Sequence, residues 1–418
     1  MALYSQGSAV VQDSRTMHLD AGEQNLSWPV VGAVQPGTFW LSGSGVNLVG
    51  FELNMNRGDS GGLLAGRIGR SITVNAPDGA SRQGTLVAVE DDTAYVRIDD
   101  RIERITAASA ARISWPAANN GDNSSGITLH VTADHAGKQK LTATYQTDAP
   151  SWQTSYTGRF DPQTGRLKLT GSAIIDNSGH GALNADKAWL VAGDTARAEH
   201  GGPRPMMMAK MTAAAPAPAG PPERVGDVYR YSLANGLHVP AGATRSVALI
   251  EPMTVNAKRR YRFENYALSD TGNARRHAEV NLSFDNSSGQ PLPAGPVRIY
   301  DAAHAAQLMG GARIDDTPAG APVRLNLGGA FDITGTHRVT KQSNDDGAHI
   351  TQVTVELFNA GDSEKQVTVA ERLPQGAQLA DNAPKPNGGS AHAPQWRVSL
   401  PANGHRTLSY RFTRPQSS

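Results

Sequence analysis

Residues 279–289 read EVNLSFDNSSG, and this stretch decides the fold class. Val280, Leu282 and Phe284 alternate with Glu279, Asn281 and Ser283, so a strand here buries one face and wets the other. Asp285–Gly289 then supplies turn chemistry: Asx side chains bond nearby backbone, and Gly accepts positive φ. The same alternation recurs in Val323, Leu325 and Leu327, in Val353, Val355 and Leu357, and in Trp396, Val398 and Leu400. It returns in Leu408, Tyr410 and Phe412. Asp122–Gly126 and Asp176–Gly179 repeat the turn, while Asp78-Gly79 and Asn235-Gly236 suit hairpins. Helical signals are confined to Ala302–Met309 and Ala107–Arg112.

The pattern predicts an all-β protein of tandem β-sandwiches. Its 418 residues exceed one ordinary core and require several domains. Residues 1–62 read as an opening β-segment, and 63–116 as a small five-stranded barrel-like unit with strands near 71–74, 84–89, 94–98, 101–105 and 112–115. Residues 125–200 plus 225–335 read as one sandwich, interrupted by a Pro/Ala/Met-rich linker at 201–224 with five prolines after Arg204. Residues 336–415 read as an immunoglobulin-like sandwich.

Lys plus Arg at 39 against Asp plus Glu at 38 leaves a net charge of +1, which argues against nucleic acid as a partner. No apolar run reaches the length of a transmembrane helix. Zero cysteines exclude disulfides and thiolate chemistry, and suit an oxidising compartment. The N-terminus has neither the basic nor the apolar region of a signal peptide, so a mature exported form and a cytoplasmic chain both fit.

Several motifs invite chemistry. Gly58-Asp59-Ser60-Gly61-Gly62 matches the string around a serine-protease nucleophile, but only 59 residues precede Ser60 and the sole upstream histidine is His18. A glycine-rich turn is the expected reading. Arg57-Gly58-Asp59 spells an integrin-binding tripeptide on too little sequence to carry a function. His130, Asp134 and His135, with Asp176 or His180, offer zinc-compatible donors, yet their strand and turn settings make them surface residues. Met206, Met207, Met208 and Met211 read as a loop and not as a copper site. The acidic doublets Asp91-Asp92, Asp99-Asp100, Asp315-Asp316 and Asp345-Asp346 lack a calcium loop's oxygen spacing. No catalytic, cofactor-binding or metal-binding residue is therefore assigned.

The blocks YSQGSAVVQDSRTMHLDAGEQNLSWPVV (4–31), LTATYQTDAPSWQTSYTGRFD (141–161), ALNADKAWLVAGD (182–194), KRRYRFEN (258–265) and PAGPVRIYDAAHAAQLMGGARIDDTPAGAPVRLNLGGAFDITGTHRVT (293–340) resemble a family of bacterial exported β-rich proteins. Its longer members are called mucoidy inhibitor A. The resemblance implies a periplasmic, cell-surface or secreted protein of the envelope and transfers no catalytic residue. Longer members insert a coiled-coil arm after the opening β-segment, where this chain has only GFELNMNRGDSGG (50–62).

The expected function is non-catalytic, through protein–protein interaction or self-assembly and without a cofactor. A carbohydrate-active hydrolase with unlocated carboxylates is the alternative. Gln366–Glu371 and Ala9–Gln12, weakly charged and free of proline, are the expected edge strands for pairing between chains.

Overall fold

In the computed structural model, the 279–289 stretch ends the strand Arg276–Asp285, with Leu282 and Phe284 buried and Ser283 partly wet. That strand is bonded on both sides, to Lys258–Tyr266 and to Pro322–Asp345. The structure describes residues 1–5, 7–54, 64, 67–90, 93–106, 112–115, 126–148, 150–179, 181–193, 219–304, 307–345 and 348–415. The protein is nearly all β, 69% strand, in several separate sheets. The helix expected over Ala302–Met309 is not formed. Asp301 accepts the N–H groups of Ala303 and His304 through one carboxylate oxygen, bending the chain, and Leu308 opens a new strand, Leu308–Ile314. Of the other helical segment, 107–111 lies outside the described residues, and Arg112 begins the strand Arg112–Ser114.

The chain divides into two units, 1–153 with 173–248 and 154–172 with 249–418. In the first unit, Ser8–Leu19 pairs with Gly137–Thr147, and Ala2–Tyr4 pairs in parallel with Ala188–Ala192. Gly22–Pro29 and Val46–Asn54 flank Gly126–Ala133 in a three-stranded sheet. The opening segment is thus woven into sheets with 126–147 and 188–192 and does not stand apart at residue 62. Five strands, Ser71–Asn75, Ser81–Glu90, Thr93–Ile98, Arg101–Thr106 and Arg112–Ser114, form their own sheet over Ile72, Leu86, Val96 and Ile105. Among the described residues, no pairing joins its two outer strands, Arg101–Thr106 and Arg112–Ser114.

The second unit contains a nine-stranded sheet. Its hydrogen-bonded order is Gln378–Leu379, Gly404–Pro415, Ala348–Asn359, Pro322–Asp345, Arg276–Asp285, Lys258–Tyr266, Lys365–Arg372, Ala393–Leu400 and Gly388–Ser390. The expected boundary at 335/336 falls inside Pro322–Asp345, whose first half pairs with Arg276–Asp285 and whose second half pairs with Ala348–Asn359. Trp396 and Tyr410 sit six strand positions apart, about 29 Å on a flat sheet. Their rings nevertheless stack at 5.0 Å, so the sheet folds over on itself around Phe263, Val355 and Val367. In the same unit Tyr156–Phe160 pairs in parallel with Val297–Asp301, and Gly295–Asp301 pairs with Leu308–Ile314.

Asparagine closes three strand ends in the same way. Asn177, Asn286 and Asn359 are buried, and each Nδ2 donates to three carbonyl oxygens. For Asn286 these are Gln290 O at 2.8 Å, Thr317 O at 3.3 Å and Pro318 O at 3.0 Å. Asn177 reaches Gly181, Val239 and Pro240, and Asn359 reaches Ser363, Leu400 and Pro401. Each Oδ1 accepts the backbone N–H two residues on, in Gly179, Ser288 and Gly361. The turns reached read VPAGA (239–243), TPAGA (317–321) and LPANG (400–404), with positive φ at Gly242, Gly320 and Asn403. Asn286→Ala removes the donor and strands several buried carbonyls. It should cost about 3 kcal/mol in urea unfolding, whereas Asn47→Ala, on an exposed position, should stay within about 0.5 kcal/mol.

Candidate functional site

Strand register decides which side chains share the outer face of the nine-stranded sheet, because directly paired residues point the same way. Arg397, Thr368, Arg262, Glu279 and Gly329 are successive partners across five strands. Arg260, Asn281 and Asn326 form the next row, and Lys258, Ser283 and Arg324 the one after. Arg372 lies opposite Tyr266 on the same side. The residues between them, Phe263, Leu282, Val367 and Val369, are buried. Six cations thus share this face with Glu264, Glu279 and Asp285.

Glu264 accepts Arg262 at 3.1 Å and lies 3.9 Å from Arg372. Lys258, Arg260, Arg324 and Arg397 have no ion pair among the described residues. A chain with almost no net charge therefore carries a locally cationic surface, felt over about one Debye length. Phe331, two residues beyond Gly329 along its strand, is 89% exposed.

The inner face of the same unit holds a polar chain. His337 and Glu371 are both 0% exposed and meet at 3.1 Å, Nε2 to Oε2. Their strands stand three positions apart, about 14 Å on a flat sheet, so the contact exists only because the sheet folds over. His337 Nδ1 lies 2.6 Å from the carbonyl oxygen of Ser269, an acceptor only, so Nδ1 carries a hydrogen. Nε2 then faces the Glu371 carboxyl. Asn265 donates to Glu371 Oε1 at 2.9 Å, and Arg276 donates to Asn265 Oδ1. Tyr410 stands beside this carboxylate with a buried hydroxyl that has no hydrogen-bond partner among the described residues. Burial first, then the charge of Glu371, holds its ionisation far above the ordinary tyrosine range. The grouping resembles a base-orienting pair, but its complete burial makes it part of the core.

Among the described residues, those weighed from sequence do not gather into a metal site, although Asp134 and His135 both approach Gly45. His130 is bonded to Asn25 at 2.7 Å, opposite it on Gly22–Pro29, and His135 to Gln139 at 2.9 Å. Asp176 accepts the Thr244 hydroxyl at 2.9 Å. No group of three metal-binding side chains forms among the described residues. His18 lies within Ser8–Leu19, opposite Lys138. Arg57–Gly62 with Ser60, Asp91, Asp92, Asp122–Ser125, His180, Met206–Met211 and Asp346 lie outside the described residues. Both expected edge strands are interior. Val367 is paired with Tyr261 and Val398, and Val10 with Ala2 and Gln146. Their low charge reflects burial between neighbours and not an unguarded edge. The cationic face was visible in sequence only as Lys258, Arg260 and Arg262 at period two.

No family model matches the chain, and no curated protein matches it.

Glu371→Ala should destabilise by about 3 kcal/mol or more in urea unfolding, because it leaves His337 and Asn265 buried without their acceptor. Tyr410→Phe, which removes an unpaired hydroxyl, should be neutral within about 1 kcal/mol. Burial also pushes Tyr145 up to about 12 from the ordinary 10.0, its oxygen accepting the Val31 N–H. The unfolded state therefore loses this proton first, so stability present below pH 10 falls as pH rises toward 12. Tyr145→Phe should flatten that decline in alkaline unfolding followed by circular dichroism.

Proposed function

We propose that this chain is a non-catalytic, exported protein of the bacterial envelope or cell surface that acts by binding another protein. The carrying observation is the outer face of the nine-stranded sheet, where Lys258, Arg260, Arg324 and Arg397 have no ion pair among the described residues. Cations free of such pairs give a docking surface electrostatic steering. The folded-over sheet is read here as immunoglobulin-like, a frame that presents such faces and loops on rigid strands. The resemblance of 4–31, 141–161 and 293–340 to the mucoidy inhibitor A family supplies the location in this reading. Self-assembly through Gln366–Glu371 or Ala9–Gln12 is dropped, since both strands already have two neighbours.

The test combines fractionation with cross-linking in the source bacterium. Wild-type protein should appear in the envelope fraction and cross-link to a protein partner. A triple variant, Arg260→Glu with Arg324→Glu and Arg397→Glu, should keep its thermal midpoint and lose that cross-link. Retention in the cytoplasm, or turnover of chromogenic glycosides abolished by one carboxylate substitution, would overturn the reading.

A further inference from the structure

The partner's chemistry follows from the spacing of groups on the outer face, and this step rests on the docking reading above. We infer that the face takes an extended, acidic segment of a partner protein, laid along Lys258–Tyr266 with carboxylates at alternate residues. Lys258, Arg260 and Arg262 recur every second residue of one strand, about 6.7 Å apart. An extended peptide repeats its own same-side groups at that interval, so its carboxylates meet Lys258 and Arg260 in register, while Arg262 is already held by Glu264, with neither backbone bending.

The neutral groups select an extended chain over a helix. Ser283, Asn281 and Thr368 flank the cation row on the neighbouring strands, and Asn326 lies one strand further. They offer hydrogen bonds to backbone N–H and C=O groups, which an extended segment leaves open and a helix bonds internally. Asn281 stands in the middle of this surface, between Arg260 and Asn326, and its Nδ2 is buried with no partner among the described residues. An unpaired buried donor is costly, and a ligand oxygen reaching it as the surrounding side chains change rotamer removes that cost.

Fluorescence anisotropy with the full chain tests this. The probes are a labelled peptide of alternating Glu and Ser, a block peptide of the same composition, and heparin as an acidic glycan. The alternating peptide should bind most tightly, and its affinity should fall as salt rises. The variant carrying Arg260→Glu, Arg324→Glu and Arg397→Glu should bind it about tenfold more weakly, and Asn281→Ala should also weaken it. Equal binding of the block peptide, preference for heparin, or affinity unmoved by charge reversal would each overturn the inference. If no acidic peptide binds but the triple variant still loses its cross-linked partner in cells, the strand proposal falls and docking at this face stands. If the variant keeps that partner, docking falls too.

Discussion

A primary carboxamide has two donor hydrogens and an acceptor oxygen on one rigid plane, and in this protein that plane locks strand ends to distant turns. Asn177, Asn286 and Asn359 each place it where a strand stops, bonding one carbonyl four residues on and two more in an x-Pro-Ala-Gly or x-Pro-Ala-Asn turn. The turns are 62, 31 and 41 residues away at their nearest carbonyl. Proline offers no N–H there, so its carbonyl and the preceding one can both turn to the same side chain. Aspartate would face three carbonyls with negative charge, and leucine would strand them, so only Asn suits the position.

With strand ends fixed in this way, a sheet of nine strands can fold over without fraying. Folding over brings His337 and Glu371 together from three strands apart and stacks Trp396 on Tyr410 from six. The chain from Arg276 through Asn265 and Glu371 to His337 satisfies groups that would otherwise be buried unpaired. Thr271 holds the His337 backbone at both its N–H and its carbonyl, so the loop after Lys258–Tyr266 is tied to the same core. The polar residues of this chain are thus consumed by one another, while the Tyr410 hydroxyl beside it is buried without a hydrogen-bond partner among the described residues, and the cations outside are left to the solvent face.

Alternation made the strands legible, since Val280, Leu282 and Phe284 report the inner face of Arg276–Asp285 whatever lies beside it. The five strands between 71 and 114 were readable for the same reason. Neighbours were not. Gln366–Glu371 looks like an edge from its composition, yet it is flanked on both sides, because pairing depends on residues a hundred positions away. Glu371 itself breaks the alternation rule by facing inward, and its reason, His337, is on another strand. The Asp-Asn turns at 176–179 and 285–289 announced two of the three locking asparagines. Asn359 follows Phe358, not Asp, and escaped notice although its bonds are the same.

Net charge misleads in a related way. A sum of +1 over 418 residues excludes a long-range field, but it says nothing about segregation within a sheet. Period-two placement sends Lys258, Arg260 and Arg262 to one side and Tyr261 and Phe263 to the other, so a strand of ordinary composition has one strongly basic face. Pairing then adds Arg324 and Arg397 from strands distant in sequence. Among the described residues the ion pairs on this face are those of Arg262 and Arg372 with Glu264, and Glu279 adds a second carboxylate opposite Arg262. Attraction at such a surface is short in range and falls within about one Debye length. A partner must therefore be already close and shaped to the strand repeat before the charges act, which makes this face selective for geometry and not for charge alone.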